Sequence, residues 1–574
     1  MSASAQNILE LATKWTQKPF DTETQENAKS LIQKGGPELE DAFYKKMEFG
    51  TGGMRGIMGV GTNRINKYTL GGATQALSDY LIASFPTKKQ ISVAIGYDCR
   101  HNSDTFSKLV ADVLSANGIK VYLFESLRPT PELSFAVRHL GCQAGIVLTA
   151  SHNPKEYNGY KVYWEDGAQL VSPHDVGVID RANKMAIEQI KFDGNKDLIQ
   201  LIGQDMDDAF LDAVMKQSLT NEGKSDLKIV FTSIHGTSIM GLPQALAKAG
   251  FTDVHIVEEQ AKPDGNFPTV VSPNPEEPEA LSMAIKLADK INADLVIGTD
   301  PDADRIGIAV RNAQGEMQIM NGNQTASMLT WYLLKEWKKQ GKLTGNEFIC
   351  QTIVTTNLMK DIGDAYGVDT EITLTGFKWI AAVIREFEGK KKFIGGGEES
   401  FGFMIGDFVR DKDSVSAAMI VSEIAAQAKA NGSSFYAQVL EMYKEFGLYH
   451  EGLVSIVKKG KTGGDEIAKM MSDMRQNPPK TLAGFTVIKK DDVLSGVSTD
   501  LITGATTPLD LPSSNVLQFY LENGSKVTAR PSGTEPKIKF YFSVKGELND
   551  VADYDAKLQD LLAQIEAIKK DLGI

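Results

Sequence analysis

Short apolar runs alternate with longer amphipathic stretches along most of the chain. Residues 91–97, 120–124 and 144–148 read as buried strands, and residues 103–117 between them as an amphipathic helix. The pattern returns with strands at 228–231 and 253–257 around a helix, then a helix over 278–290 and a strand at 294–297. It recurs once more at 347–354, 371–374 and 392–394. Alternation of this kind favours parallel or mixed sheets covered on both faces by helices, here as three α/β modules in series. The repetition is one of pattern, not of sequence identity. After Tyr449 the texture changes to Gly-rich turns, β-type runs at 484–489, 515–521 and 537–544, and a final helix over 551–570. The expected fold class is therefore α/β, three successive α/β domains with mixed sheets followed by a C-terminal α+β domain. Junctions are expected near 205–221, 314–322 and 430–452, giving domains 1–210, 211–318, 319–445 and 446–574.

Composition narrows the class. At roughly 150 residues per domain, 574 residues with 42% hydrophobic and 24% charged positions fit about four globular domains. The balance of 61 basic against 74 acidic residues, −13, argues against a general nucleic-acid or membrane-surface binder. An anionic substrate would have to be held by locally placed cations and backbone amides. Cys99, Cys142 and Cys350 are odd in number and form no C-x-x-C pair, so a reducing compartment is expected. Residues 1–16 lack a basic segment leading into an apolar run, and no stretch approaches 18 apolar residues. The expectation is a soluble cytoplasmic protein; oligomeric state is not readable.

Four segments carry candidate chemistry. Thr149-Ala150-Ser151-His152-Asn153-Pro154, followed by Asn158-Gly159-Tyr160-Lys161, presents a serine where an apolar strand ends. An exposed hydroxyl there suits a phosphoryl acceptor and donor, although an ordinary polar turn reads the same way. His152 is set aside as a hydrolase partner, because adjacent residues rarely form the needed hydrogen bond and no G-x-S-x-G elbow surrounds Ser151. Gly298-Thr299-Asp300-Pro301-Asp302-Ala303-Asp304-Arg305 places three hard oxygen donors at alternate positions, which favours Mg²⁺ over zinc or copper, the ordinary alternative being an acidic surface turn whose close carboxylates would repel one another without a cation. An EF-hand fails, since its Gly and Glu positions are occupied by Arg305 and Arg311. Gly395-Gly396-Gly397-Glu398-Glu399-Ser400-Phe401-Gly402 could offer Glu398 and Ser400 to vicinal sugar hydroxyls, or could be a glycine hinge. Arg530-Pro531-Ser532-Gly533-Thr534-Glu535-Pro536-Lys537 could cradle a phosphate with an arginine, hydroxyls and turn amides, or be a polar hairpin turn.

In combination and order these motifs resemble the α-D-phosphohexomutase superfamily, in particular its phosphoglucomutase/phosphomannomutase branch. The resemblance spans nearly the whole chain. Phe49-Gly50-Thr51-Gly52-Gly53-Met54-Arg55-Gly56 resembles the family's N-terminal motif and Thr375-Gly376-Phe377-Lys378 its sugar-orientation loop. The resemblance implies four domains around a central cleft. It also implies phosphoryl transfer between O1 and O6 of an aldohexose, with glucose and mannose not distinguished. Ser151 would carry the phosphate, and a hexose 1,6-bisphosphate would serve as primer and intermediate. One Mg²⁺ would be held by Asp300, Asp302, Asp304 and the phospho-Ser151 oxygen. Arg55, Lys161 and Arg305 would offset the excess negative charge, with Lys161 the preferred general acid/base and Arg305 also in the catalytic set.

The remaining implied contacts fall on Thr375, Gly376, Lys378, Glu398 and Ser400 for the sugar. Arg530, Ser532, Gly533 and Thr534 would hold the distal phosphate. Arg410 is implied as a further substrate contact, its ordinary alternative being an i,i+3 surface pair with Asp413. The expected partner is a small sugar phosphate. Competing readings are a phosphopentomutase, a phosphoserine-type phosphatase and a non-catalytic sugar-phosphate binder.

Overall fold

The computed structural model describes residues 3–50, 53–458, 460–532 and 537–574. Three sheets follow one another along the chain, each with parallel strands, one of which runs directly into an antiparallel neighbour. The first runs Gly53–Ile57, Tyr157–Trp164, Ala144–Leu148, Ser92–Tyr97, Lys120–Phe124, Ile199–Ile202. The second runs Met317–Met320, Ile306–Arg311, Leu295–Thr299, Lys228–Thr232, Asp253–Ile256. The third runs Asp369–Thr373, Glu347–Thr352, Lys392–Gly397, Phe403–Ile405.

In each sheet a fully or largely buried parallel strand turns into its antiparallel neighbour: Ala144–Leu148 into Tyr157–Trp164, Leu295–Thr299 into Ile306–Arg311, and Lys392–Gly397 into Phe403–Ile405. The serine, aspartate and glutamate motifs occupy these three connections. The repetition seen only as a pattern in sequence is thus a repetition of topology, and it delivers three chemical loops from equivalent places. Gly395–Gly397 belong to strand rather than loop, which corrects the hinge alternative for that motif.

The chain after Tyr449 forms an antiparallel sheet, Leu448–Val457, Lys537–Gly546, Lys526–Pro531, Leu517–Leu521, Phe485–Asp492, Val497–Asp500, Thr506–Pro508. The helix Tyr554–Leu572 packs Leu561, Ile565 and Ile568 against it, preceded by a short 3-10 turn that the sequence pattern had merged with it. One apolar cluster extends from Phe210 to Ile568 and unites the second, third and fourth sheets, while the first sheet has its own core around Ile95, Ile146 and Val162. The segments expected as junctions are not open linkers: they carry the helix Gln204–Met215, the strand Met317–Met320 and the helix Phe435–Phe446. Sequence patterning also missed the helices Ala3–Lys14, Thr22–Lys34 and Gly36–Phe43. No helix among the described residues is long and apolar enough to cross a membrane.

One helix shows how packing positions a loop. Phe377–Phe387 buries Phe377, Ile380, Ala381 and Ile384, an i, i+3, i+4, i+7 stripe. Each large apolar side chain there contributes about 1.5–3 kcal/mol on burial. That anchors the helix start, and with it Gly376, whose φ of 109° suits glycine.

Candidate active site

Ser151 sits just beyond a strand whose five residues are all buried. Its backbone is left-handed, φ 51°, a conformation that only surrounding contacts can hold in a non-glycine residue. Those contacts are visible. Thr149 Oγ1 accepts the Ser151 N–H at 2.8 Å. The buried Arg100 guanidinium donates to the Ser151, Pro154 and Tyr157 carbonyls at 2.6, 2.8 and 3.1 Å, and also to that of Asn153. Asp98 balances its charge at 3.3 Å. Behind the loop, a Cβ on Gly159 would lie 2.4 Å from Thr149 O, so only glycine fits. Arg55, on the neighbouring strand and open to solvent, donates to Asn153 Oδ1 at 2.9 Å.

The aspartate loop folds about its first carboxylate. Asp300 Oδ1 accepts the N–H groups of Asp304 and Arg305, both at 3.0 Å, with Ala303 left-handed at φ 59° between them. Asp300 Oδ2 accepts the Ser151 hydroxyl at 2.8 Å, joining the first two sheets. Asp302 Oδ2 receives Lys161 Nζ at 2.7 Å and Thr130 Oγ1 at 3.0 Å. Asp304 Oδ2 receives Lys161 Nζ at 3.1 Å and pairs with Lys412 Nζ at 3.2 Å. Asp302 Oδ1 and Asp304 Oδ1 are buried with no hydrogen-bond partner. One ligand oxygen from each of the three aspartates lies within 4.8 Å of the others.

Leaving a buried acceptor unmet costs about 1–3 kcal/mol, and three adjacent carboxylates repel one another. Burial, Asp302 and Asp304 push the Asp300 carboxyl well above its usual range. Two unmet oxygens in an all-oxygen donor set fit a hard divalent cation.

Lys161 is buried, and Asp302 and Asp304 outweigh its desolvation, holding its ammonium above the ordinary range. Arg305 pairs with Glu276 beside the same loop. His152 requires a correction: its Nδ1 lies 3.1 Å from Ser151 Oγ, despite the adjacency that argued against such a contact. Burial, with Arg305 and Arg55 nearby, pushes its imidazole down to about 3, so it is neutral. Among the described residues no carboxylate hydrogen-bonds its other nitrogen, so the pair does not make a hydrolase triad.

Glu398 accepts the Gly376 N–H at 2.8 Å, which ties the two predicted sugar loops together. Burial raises its carboxyl, against the pull of Lys412. Thr375 and Ser400 are half-buried in these loops, and Lys378 stands 5.1 Å from the Trp379 ring centre. Arg530 lies opposite Lys539 in the hairpin of the fourth sheet, and the Ser532 N–H closes on Lys537 O at 2.7 Å. Burial, Lys537 and Arg530 lower the Lys539 ammonium, with Glu399 and Glu276 opposing. This hairpin is therefore within electrostatic reach of the sugar loop. Gly533 and Thr534, like Thr51 and Gly52, lie outside the described residues.

For Arg410 the structure replaces only the ordinary alternative, the surface pair with Asp413: its side chain is fully buried and pairs with Glu388 at 3.3 Å. Asp413 instead caps the helix Ser414–Ala430 through the Val415 and Ser416 N–H groups, at 2.9 and 3.2 Å.

The charge run hid a different residue, Lys412, which reaches Asp304 and also Asp411 at 2.9 Å. Gly402 is the sequence signal that accompanies it, since a Cβ there would stand 2.1 Å from Lys412 Cδ. Gly402→Ala is expected to displace Lys412 from Asp304. Steady-state kinetics should show kcat down about tenfold or more, and a denaturant midpoint should show about 1–3 kcal/mol lost to overpacking. An unchanged kcat would remove Lys412 from the site.

The comparisons with known proteins meet this geometry. Residues 46–188, 208–315 and 321–443 match the models for phosphoglucomutase/phosphomannomutase alpha/beta/alpha domains I, II and III. A phosphoglucomutase of Staphylococcus epidermidis is 37% identical over 521 residues, 90% of this chain and 93% of its own. One from Staphylococcus aureus is 38% identical over 526 residues, 91% and 94% of the two chains. The chain belongs to the phosphoglucomutase/phosphomannomutase family of the α-D-phosphohexomutase superfamily. Its fold is similar to that of the Paramecium phosphoprotein pp63/parafusin, a phosphoglucomutase solved in an open form, with TM-score 0.68, 18% identity and coverage of 92% and 97%. A putative phosphomannomutase of Thermus thermophilus gives TM-score 0.65 at 22% identity, covering 92% and 98%.

Proposed function

We propose that the protein is a phosphohexomutase that interconverts hexose 1-phosphate and hexose 6-phosphate, of glucose, mannose or both, through a phosphorylated Ser151 and a hexose 1,6-bisphosphate. The observation that carries this reading is the 2.8 Å contact of Ser151 Oγ with Asp300, beside two unpartnered carboxylate oxygens. A sugar-phosphate binder has no use for a strained serine hydroxyl buried against a cation site. The curated relatives named above, both phosphoglucomutases, support the same reaction class.

In this reading Asp300, Asp302 and Asp304, with the Ser151 phosphate, hold one Mg²⁺. When bound, it would supply positive charge to the transferring phosphoryl group. The chain's own residues do the rest. The bond from phosphorus to Ser151 Oγ breaks as the bond to a sugar hydroxyl forms. Lys161, kept as an ammonium, is assigned as general acid/base: it gives a proton to the leaving Ser151 oxygen and recovers the one released by the attacking sugar hydroxyl, while Arg55, Arg305 and Lys412 offset phosphate charge. Glu398 and Ser400, with the 375–378 loop, hold ring hydroxyls common to both orientations of the sugar. Arg530, Ser532, Gly533 and Thr534 hold the distal phosphate. Domain limits of 1–210, 211–318, 319–445 and 446–574 give each loop its own module.

The test is a panel of hexose and pentose 1-phosphates assayed with Mg²⁺ and a trace of the matching bisphosphate. Turnover of hexose 1-phosphate to the 6-phosphate is expected; faster turnover of ribose 1-phosphate would reassign the enzyme as a pentomutase, and sustained phosphate release as a phosphatase. Arg530→Ala should raise KM about ten- to a hundredfold, the worth of a lost charge-assisted hydrogen bond. An unchanged KM would take that hairpin out of the site.

A further inference from the structure

The strand that carries Arg530 is gripped at its other end by a buried lysine. Lys526, Thr528 and Arg530 occupy alternate positions of Lys526–Pro531, so all three face the same side of the fourth sheet. Lys526 Nζ crosses to the third module. There it donates to Asn357 Oδ1 at 2.9 Å and to the carbonyls of Ile353 and Thr355 at 3.1 and 3.4 Å. Gln518, on the adjoining strand, donates to the same Ile353 carbonyl at 2.6 Å and to Thr528 Oγ1 at 2.9 Å. The receiving loop is itself rigid. Gln351 Nε2 donates to Thr356 O at 3.1 Å, and Thr356 N–H donates to Asn323 Oδ1 at 2.9 Å. Thr352 and Thr355 hydroxyls both approach Glu399, the neighbour of the sugar-loop Glu398, at 3.4 Å. Asn357 stands at the start of the helix Leu358–Tyr366 without capping it, so its side chain is given to Lys526 instead.

We infer that Lys526 is a positioning residue: it latches the fourth sheet to residues 353–357 and so fixes where the Arg530 hairpin stands relative to the sugar loop. This rests on the mutase reading, in which the hairpin and the sugar loop must hold one substrate at a set separation. A lysine buried this deeply is costly unless its ammonium is well partnered. All three of its recorded acceptors belong to the opposite module.

Burial pushes the Lys526 ammonium down to about 8, against Glu451, Asp491 and Glu399, while Lys489 adds to the push. The facing Glu451 carboxyl is raised by burial to about 7. The ammonium is therefore present below about pH 8 and lost above it, and the latch weakens as pH rises through that value.

Lys526→Met tests this in the full chain, with Asn357→Leu removing one of the bonds from the other side. If the latched arrangement falls to a tenth of the population, KM for hexose 1-phosphate rises about tenfold. The expectation is that rise in Lys526→Met and a smaller one in Asn357→Leu, each with kcat within about threefold. The unmodified chain should also show KM climbing above about pH 8, a limb absent from Lys526→Met. A merely structural role would lower kcat through lost active molecules at unchanged KM; that result, or a limb that persists in Lys526→Met, overturns the latch. Amide exchange at residues 353–357 reads the joint without turnover. It should quicken in both variants, and unchanged exchange overturns the latch even if the enzyme proves not to be a mutase.

Discussion

Ser151→Ala should abolish mutase turnover, with kcat down about ten-thousandfold or more, because it removes the hydroxyl assigned to carry the phosphoryl between the two sugar oxygens. The reasoning is geometric. The Ser151 hydroxyl is the hydroxyl held at 2.8 Å on Asp300, in a loop fixed by Arg100 and Thr149. Alanine keeps the left-handed backbone under the same constraint and removes the contacts of Oγ with Asp300 and His152, costing about 1–2 kcal/mol of stability. The variant should therefore fold and retain sugar-phosphate affinity, since the Gly376, Glu398 and Arg530 segments are untouched. Coupled assay, calorimetric binding and mass spectrometry of the Ser151 peptide check the three parts. Near-normal turnover, or a phosphate that remains on the peptide, would refute the assignment.

Why Ser151 and the aspartates were legible, and their supports were not, is a matter of sequence distance. Asp300, Asp302 and Asp304 lie in one short loop after an apolar run, so their convergence is written locally. Ser151 announces itself by position, at the end of a strand. Lys412, Thr130 and Arg100 are different. Each looks like an ordinary polar position in its own neighbourhood and gains its meaning from a partner in another part of the chain: Asp304, Asp302 and the Ser151 loop. Arg410 and Lys412 stand two positions apart in one run of alternating charges, and nothing local tells that burial sets Arg410 beside Glu388 and Lys412 beside the aspartates. Periodicity located most strands of the three modules. It could not show that their chemical loops occupy one repeated topological place, because that depends on which strand pairs with which. Lys526 was invisible for the same reason: its acceptors, Ile353, Thr355 and Asn357, lie in another module.

The second large effect concerns Asp302, whose two oxygens face opposite demands. Oδ2 is occupied by Lys161 and Thr130, while Oδ1 is buried and unmet. Asparagine cannot satisfy both sides. If its amide nitrogen points toward Lys161, donor meets donor; if it takes the Oδ1 side, the cation site meets a donor in place of an anion. Either way the negative charge of the cluster falls by one, and Asp304 is the one charged partner that Lys161 keeps in this loop. Asp302→Asn is expected to lower kcat about a hundredfold or more and to raise the Mg²⁺ concentration needed for half-maximal rate. Thermal or chemical unfolding with Mg²⁺ against a chelator separates the metal effect from the kinetic one. Binding to the folded state alone stabilises it by RT ln(1 + [L]/Kd), so a hundredfold loss of affinity from saturation removes about 2.7 kcal/mol of the Mg²⁺-dependent gain. The unmodified chain should show that gain and Asp302→Asn should show little of it. Equal gains in the two proteins would mean that the cation is held elsewhere, and the arrangement of Ser151 against this aspartate cluster would then need another explanation.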